Sequence, residues 1–227
     1  MFAVIFVVQP KPERFDDYLA LAKFLKPKLE KIDGFIDNER FGSQVAKGRL
    51  LSLSSWRDEK AVIRWRTLGA HHEVQEKGRT EIFADYHLRV GEVTADTDAT
   101  KGRKLTENRF DETEIGRARI MTITEFTPAA GEPAGADLAS DLRLPRGERG
   151  GTIEQETFES ITQPGKLLLL VSWRNAAAAN EWKLETPAEG RLRHRHVRIV
   201  RDYGMADRRE APQYYPAVAR TLGASVT

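Results

Sequence analysis

Two side chains of this 227-residue chain, His72 and Tyr86, are the first candidates for moving a proton in a small-molecule site. Histidine ionises near neutral pH and is the best base among the residue types present, and a tyrosine hydroxyl can return a proton to a bound molecule. His72 follows Trp65 by seven residues, two turns along if a helix continues. Each residue also has a structural interpretation: a surface histidine beside His71, and a core tyrosine whose hydroxyl is hydrogen-bonded.

Three further residues are candidates for binding the substrate of such a site: Trp56, Trp65 and Arg79. Aromatic rings provide flat apolar surface, and a guanidinium group can hold an anion. The alternatives are core packing for the two tryptophans and a solvent-facing side chain for Arg79.

The composition excludes several classes of site and partner. The chain contains no cysteine, which removes disulfides, thiolate nucleophiles, zinc–thiolate sites and iron–sulfur clusters. With 36 Lys and Arg against 34 Asp and Glu, the net charge is only +2, which argues against a nucleic-acid partner. No segment approaches the roughly 20 apolar residues of a membrane span. The apolar start lacks the basic region of a signal peptide, so we expect a cytoplasmic protein without a membrane partner.

The sequence is an approximate repeat of itself. An offset of 117 residues aligns 34–86 with 151–203 without a gap, with 17 identities in 53 positions. Unrelated sequences of ordinary composition would share roughly 6% of positions. The four tryptophans of the chain fall into two aligned pairs: Trp56 with Trp173, and Trp65 with Trp182. Two copies of this length indicate a duplicated domain.

The first copy has the hydrophobic periodicity of a ferredoxin-like unit. A strand over 2–8 precedes a helical pattern from Phe15 to Ile32, which Pro27 should kink or interrupt. The remaining segments are strands at 35–43, 50–56 and 83–93, with helices at 58–66 and 71–82. The order β-α-β-β-α-β is that of the split β-α-β unit.

The strands predict how the two copies pack. Residues 2–8 and 167–171 are apolar on both faces, whereas a lone ferredoxin-like sheet leaves one face to water. We therefore predict an α+β fold in which two ferredoxin-like units pack their antiparallel sheets face to face as an intrachain α+β barrel. The chain would then be a pseudo-dimer.

The expected domains are a first unit at 1–95, a linker at 96–116, a second unit at 117–205 and a C-terminal tail at 206–227. In the second unit, 129–135 is rich in Gly and Pro where the first unit has its long helix, so that helix should be short or irregular. The second unit is therefore expected to be largely structural. The tail, with Tyr214–Pro216, should pack as an extended arm or fray.

Several segments resemble the antibiotic biosynthesis monooxygenase family: Ile32–Phe35, Ser54–Asp58, Trp65–Arg66, Gly78–Arg79 and Phe83–Tyr86. The resemblance covers nearly all of 1–95 and, more weakly, 117–205. It implies proteins that pair as dimeric α+β barrels. The implied activities differ among members: cofactor-free oxygenases of polyketide quinones, haem-degrading enzymes and lactone isomerases.

The resemblance also suggests roles for individual positions. Trp56 stands where the quinone-oxidising members carry a tryptophan implied in binding substrate or oxygen. Ser52 replaces the asparagine that those members place four residues before it, and is our fourth substrate-binding candidate. Haem-degrading members place a histidine ten residues after a tryptophan, where this chain has Gln75 and Leu192. Iron binding by a histidine in a shifted register stays open.

From these observations we expect a monooxygenase that oxidises an aromatic or enolisable small molecule with dioxygen and without a cofactor or metal. Catalysis is assigned to His72 and Tyr86, and substrate binding to Trp56, Trp65, Arg79 and Ser52. The alternatives are a haem-binding or haem-degrading protein and a non-catalytic ligand-binding barrel. A further homo-oligomer also stays open.

Overall fold

The computed structural model describes residues 1–98, 105–129, 137–145, 150–185 and 189–212. The first unit contains β1 (Phe2–Pro10), α1 (Phe15–Leu29), β2 (Phe35–Ser43), β3 (Leu50–Trp56), α2 (Glu59–Arg66), α3 (Gly69–Lys77) and β4 (Phe83–Asp96). The second unit contains β5 (Ile120–Thr127), α4 (Leu138–Asp141), β6 (Thr152–Ser160), β7 (Leu167–Trp173), α5 (Ala176–Glu181) and β8 (Arg191–Gly204). A π-helical turn at Gly78–Ile82 joins α3 to β4.

The strands form one closed antiparallel barrel in the order β1-β3-β2-β6-β7-β5-β8-β4. Each unit contributes four adjacent strands, and the units join at two seams, β2 with β6 and β4 with β8. This arrangement confirms the predicted α+β fold and the intrachain pairing of two sheets.

The barrel explains why the strands are apolar on both faces. On β1, Ala3, Ile5 and Val7 lie in a cluster with β7 residues Leu168 and Leu170, inside the barrel. The alternate residues face the helices outside: Phe2 and Val4 pack with α1 and α2, and Phe6 and Val8 with α1 and the π-helical turn. Successive side chains of a strand point to opposite faces, so the inner set is buried and the outer set is at least partly covered by the helices.

The repeat is visible in local structure. Asp58 caps α2 by accepting the backbone N–H of Ala61 at 2.8 Å. Asn175 caps α5 in the same way through the N–H of Ala178 at 3.0 Å. Short polar residues are preferred at this position because they satisfy an otherwise unpaired N–H.

The two units differ in their first helices. In the first unit, α1 continues through Pro27 to Leu29, so the proline falls in its last turn and causes no separate segment. In the second, α4 has four residues. The Gly/Pro-rich 130–136 and the tail with Tyr214–Pro216 lie outside the described residues. Among the residues that are described, no helix has both the length and the hydrophobicity needed to cross a bilayer.

Candidate active site

A cavity of about 200 Å³ lies between the outer face of the first unit's sheet and helices α1, α2 and α3. A single water needs roughly 10–15 Å³, so this space can hold a small organic molecule. Much of its wall is apolar: Val4, Phe6, Leu21, Ala22, Leu25, Leu29, Val62, Val74, Leu88 and Val90. Polar side chains set into this wall are the groups that a bound molecule would meet.

His71 is the histidine that lines the cavity. Its ring stacks on Trp65 with centroids 4.1 Å apart, and its Nδ1 lies 3.0 Å from the Trp65 carbonyl oxygen. A carbonyl only accepts hydrogen bonds, so Nδ1 carries the proton and Nε2 carries the lone pair. Burial lowers the pKa of His71 to about 4, so the ring is neutral at neutral pH.

His72 lies on the exposed side of α3 and is not part of the cavity wall. Consecutive residues of a helix point about 100° apart, so only one of the two histidines can face the sheet. The geometry therefore moves the candidate base from His72 to His71.

Tyr86, on β4, is buried in the cavity wall, and its hydroxyl oxygen accepts two charge-assisted hydrogen bonds. Arg79 Nη1 donates at 2.7 Å from the first unit, and Arg208 Nη1 donates at 2.7 Å from the segment after β8. A tyrosine oxygen has two lone pairs, so both are occupied and its own hydrogen remains for donation. Arg79 is only 4% exposed, so the alternative of a solvent-facing arginine is wrong.

Ser52 lines the cavity from β3, next to Asn38 of the neighbouring strand β2. Asn38 Nδ2 donates to Ser52 Oγ at 3.0 Å and to the Leu53 carbonyl at 3.0 Å. The serine oxygen is thus already an acceptor, which leaves its hydrogen for an oxygen atom of a bound molecule.

Trp56 lies behind the cavity wall. Its side chain is fully buried, packs edge-on against Phe35 at 5.4 Å, and donates from Nε1 to Ser54 Oγ at 2.9 Å. Ser54 lines the cavity and Trp56 does not. The assignment of Trp56 to substrate contact is therefore replaced by a role in holding Ser54.

The charge of the cavity wall is strongly unbalanced. Of the residues that the structure describes, six cationic side chains line it: Lys26, Arg40, Arg66, Arg79, Arg201 and Arg208. Glu59 is the one carboxylate that the described residues contribute to the wall, and both of its oxygens accept from Arg109 Nη1, at 2.8 and 2.7 Å. The wall therefore attracts anions.

Comparisons with known proteins agree with this architecture. The family model described as antibiotic biosynthesis monooxygenase matches residues 1–77. A protein named jasmonate monooxygenase ABM, from Pyricularia oryzae, is 42% identical over 221 residues, covering 95% of this chain and 99% of that protein.

The chain belongs to the antibiotic biosynthesis monooxygenase family. Among solved structures, an aldoxime dehydratase aligns with a TM-score of 0.56 at 11% identity, covering 87% of this chain and 80% of that one, and so shares the fold. A putative monooxygenase from Lactobacillus acidophilus aligns at 8% identity and a TM-score of 0.39, covering 88% of this chain and 94% of that one.

In the second unit, side chains of the short α4 region pack on the sheet face that corresponds to the cavity face of the first unit. Leu138 and Leu142 of the short α4 region pack on the second sheet with Trp173 and Trp182. Trp182 Nε1 donates to the Leu142 carbonyl at 3.0 Å. These contacts agree with a second unit whose own sheet face is structural.

Four of the six candidate residues reach the cavity: Tyr86, Trp65, Arg79 and Ser52. The sequence missed His71, Asn38 and the residues that the second half supplies, Arg201, Tyr203, Arg208 and Pro212. One signal existed for this last group, because Tyr203 is the repeat partner of Tyr86. Within the described ranges, no three His, Asp or Glu side chains converge in an arrangement that could hold a metal ion.

Proposed function

We propose that this protein is a monooxygenase that oxidises a small organic anion bearing an acidic C–H or O–H bond, with dioxygen and without a bound cofactor. The reaction takes place in the first-unit cavity. The proposal rests on the composition of the cavity wall. The described part of the chain forms an apolar enclosure with six cationic side chains and one carboxylate, which is paired with Arg109.

The relative's name supports the same class of substrate. Jasmonate has a carboxylate, a ketone with enolisable hydrogens, and an apolar chain. The carboxylate suits the cationic wall, and the chain suits the apolar surface formed by α1 and the sheet. A jasmonate-like keto acid is therefore the substrate we propose to test first.

The first step is removal of a proton from the substrate. His71 accepts it on Nε2, because Nδ1 is held by the Trp65 carbonyl. A neutral imidazole is the required form of the base. Its low pKa makes it a weak base in the empty cavity, and the substrate anion formed beside it stabilises the imidazolium as an ion pair. Ser52 donates a hydrogen bond to the developing oxyanion.

The second step uses the electron-rich substrate anion to reduce dioxygen. One electron passes to dioxygen, and the resulting radical pair combines to form a C–O bond and a peroxide anion. Tyr86 protonates the peroxide, and its hydroxyl is held for donation by Arg79 and Arg208. Return of the proton from His71 to Tyr86 restores both residues. At a methylene carbon, the second hydrogen then leaves as a proton while the O–O bond breaks, and this proton and the departing hydroxide form water, which leaves a carbonyl group in the product. One oxygen atom enters the product, the other leaves as water, and the substrate supplies all four electrons.

The proposal is tested by oxygen uptake and by mass spectrometry with ¹⁸O₂. Purified protein, dialysed against a chelator, is incubated with jasmonate and with simple phenols and enolisable keto acids. We expect uptake of one dioxygen per product and incorporation of one ¹⁸O atom, both abolished or strongly reduced in Tyr86→Phe. Absence of uptake with every compound would contradict the function, and activity that returns only on addition of a metal would contradict its cofactor independence.

A further inference from the structure

The chain after β8 returns to the first unit and completes its cavity. Met205 is 6% exposed and packs in a cluster with Tyr18 and Tyr86 of the first unit. Its backbone N–H donates to the Tyr86 carbonyl at 3.2 Å. Arg208 and Pro212 then line the cavity itself. We call residues 205–212 the C-terminal strap.

The carboxylate of Glu210 adds four hydrogen bonds between the strap and the body of the protein. One oxygen of Glu210 accepts from Thr113 Oγ1 at 2.7 Å and from the Asp202 N–H at 2.6 Å. The other oxygen accepts from the N–H groups of Glu114 and Ile115 at 2.7 and 3.3 Å. Hydrogen bonds to an ionised acceptor are about twice as strong as neutral ones, and four converge here.

The position of the strap determines where Arg208 lies. The Arg208 guanidinium donates to the Tyr86 hydroxyl and lies over the Tyr203 ring, 5.6 Å from the ring centroid. Without Arg208, the Tyr86 oxygen would keep one donor, Arg79. Its hydroxyl hydrogen would then be free to rotate away from the cavity, because one lone pair would be vacant.

We propose that Arg208 is a positioning residue for Tyr86, delivered to the first-unit cavity by the C-terminal strap and fixed there by Glu210. The chain beyond β8 therefore supplies part of the working site of the first unit. This inference rests on the proposed function, since Arg208 acts through a tyrosine that donates a proton to the bound molecule.

A double-mutant cycle tests the connection between Arg208 and Tyr86. We expect Arg208→Met to lower kcat about 10- to 100-fold, the range seen when a catalytic group is slightly misplaced. KM should change less, and Arg208→Lys should recover part of the loss. In a Tyr86→Phe background, Arg208→Met should have almost no further effect, because the hydroxyl it positions is absent.

The control variant is Arg209→Met, which removes the neighbouring exposed arginine that pairs with Asp207. It should leave kcat and KM unchanged. Equal effects of Arg208→Met and Arg209→Met, or losses from Arg208→Met and Tyr86→Phe that simply multiply, would overturn the positioning role.

A second experiment needs no substrate. Trypsin cuts after arginine, so cleavage after Arg208 and Arg209 reports how often the strap opens. We expect Glu210→Gln to raise the rate of these cuts at least about 10-fold. The glutamine amide cannot accept all four hydrogen bonds, because its NH2 group would face hydrogen-bond donors in place of one carboxylate oxygen. Glu112→Gln, at an exposed position before Thr113, is the matched control.

The two experiments separate the possible failures. Equal cleavage in Glu210→Gln and Glu112→Gln, with normal folding by circular dichroism, would overturn the anchoring by Glu210 alone. If Glu210→Gln is cleaved faster but no substrate is turned over, the anchoring by Glu210 holds and the proposed function is wrong. The role of Arg208 in positioning Tyr86 for a reaction would then be wrong as well.

Discussion

His71 lies face to face with Trp65, with an interplanar angle of 18°, and donates from Nδ1 to the carbonyl of the same residue. Trp65 therefore fixes both the plane and the tautomer of the histidine. The break between α2 and α3 makes this contact geometrically available, because it folds His71 back onto the end of α2. A single tryptophan thus prepares the neutral base that the proposed reaction requires.

Replacing His71 and His72 one at a time should show which of the two histidines is the base. We expect His71→Asn to reduce oxygen uptake by at least about 100-fold, the lower range for loss of a general base. His72→Asn is the matched control, since it changes the adjacent exposed residue, and should retain activity within about threefold. If His72→Asn were the more damaging variant, the assignment of the base to His71 would be wrong.

The cationic wall should make the cavity selective for the charge of its ligand. We expect jasmonate to bind at least about 10-fold more tightly than its methyl ester, because the ester cannot form charge-assisted hydrogen bonds with the arginines. Binding can be followed by quenching of tryptophan fluorescence, since Trp65 lines the cavity. Equal affinities, or tighter binding of the ester, would contradict an anionic substrate.

Gly34, which follows the first helical segment and is shared by both copies of the repeat, is expected to be important for stability. Gly34 has a φ of 91°, and a Cβ placed there would lie 2.6 Å from the Cβ of Ala61. Gly34→Ala should lower the free energy of unfolding by more than about 1 kcal/mol, from backbone strain together with the clash. Denaturant unfolding measures this change.

A second variant, Ala61→Gly, separates the effect of backbone strain from that of the steric clash. In Ala61→Gly, the clash at position 34 is relieved while the backbone strain remains, so Gly34→Ala should cost less there than in the natural sequence. Gly42→Ala is a control, because a Cβ at that position meets no atom within 4 Å. Equal costs in both backgrounds would show that the contact with Ala61 is unimportant.

Acid should destabilise the protein through two partly buried histidines. Burial lowers the pKa of both His71 and His194 to about 4, from an ordinary value of 6.5. Between these values the unfolded chain binds protons that the folded chain does not, so their contribution to stability is full above pH 6.5 and declines as the pH falls towards 4. We expect the fall in Tm over this window to be smaller in the double variant His71→Asn, His194→Asn than in His72→Asn. An identical slope would contradict the burial of these groups as neutral rings.

The sequence determined the architecture because the signals for it are local and repeated. Residues 34–86 match 151–203 without a gap, and strands apolar on both faces can be satisfied only by a second layer on each side. The sequence also allowed us to predict four cavity residues, because their segments resemble a known family: Tyr86, Trp65, Arg79 and Ser52.

Tertiary structure alone decided the arrangement of the site. The seven-residue spacing from Trp65 to His72 would place them on one face only if the helix were continuous. The helix is interrupted between Arg66 and Gly69, which changes the direction in which the α3 side chains point and turns His71 inwards. Arg208 lies 122 residues from Tyr86 and reaches it only because the barrel closes and the strap folds back. A hydrophobic pattern specifies which face of an element is buried, whereas the meeting of two distant polar atoms depends on the closure of the whole barrel.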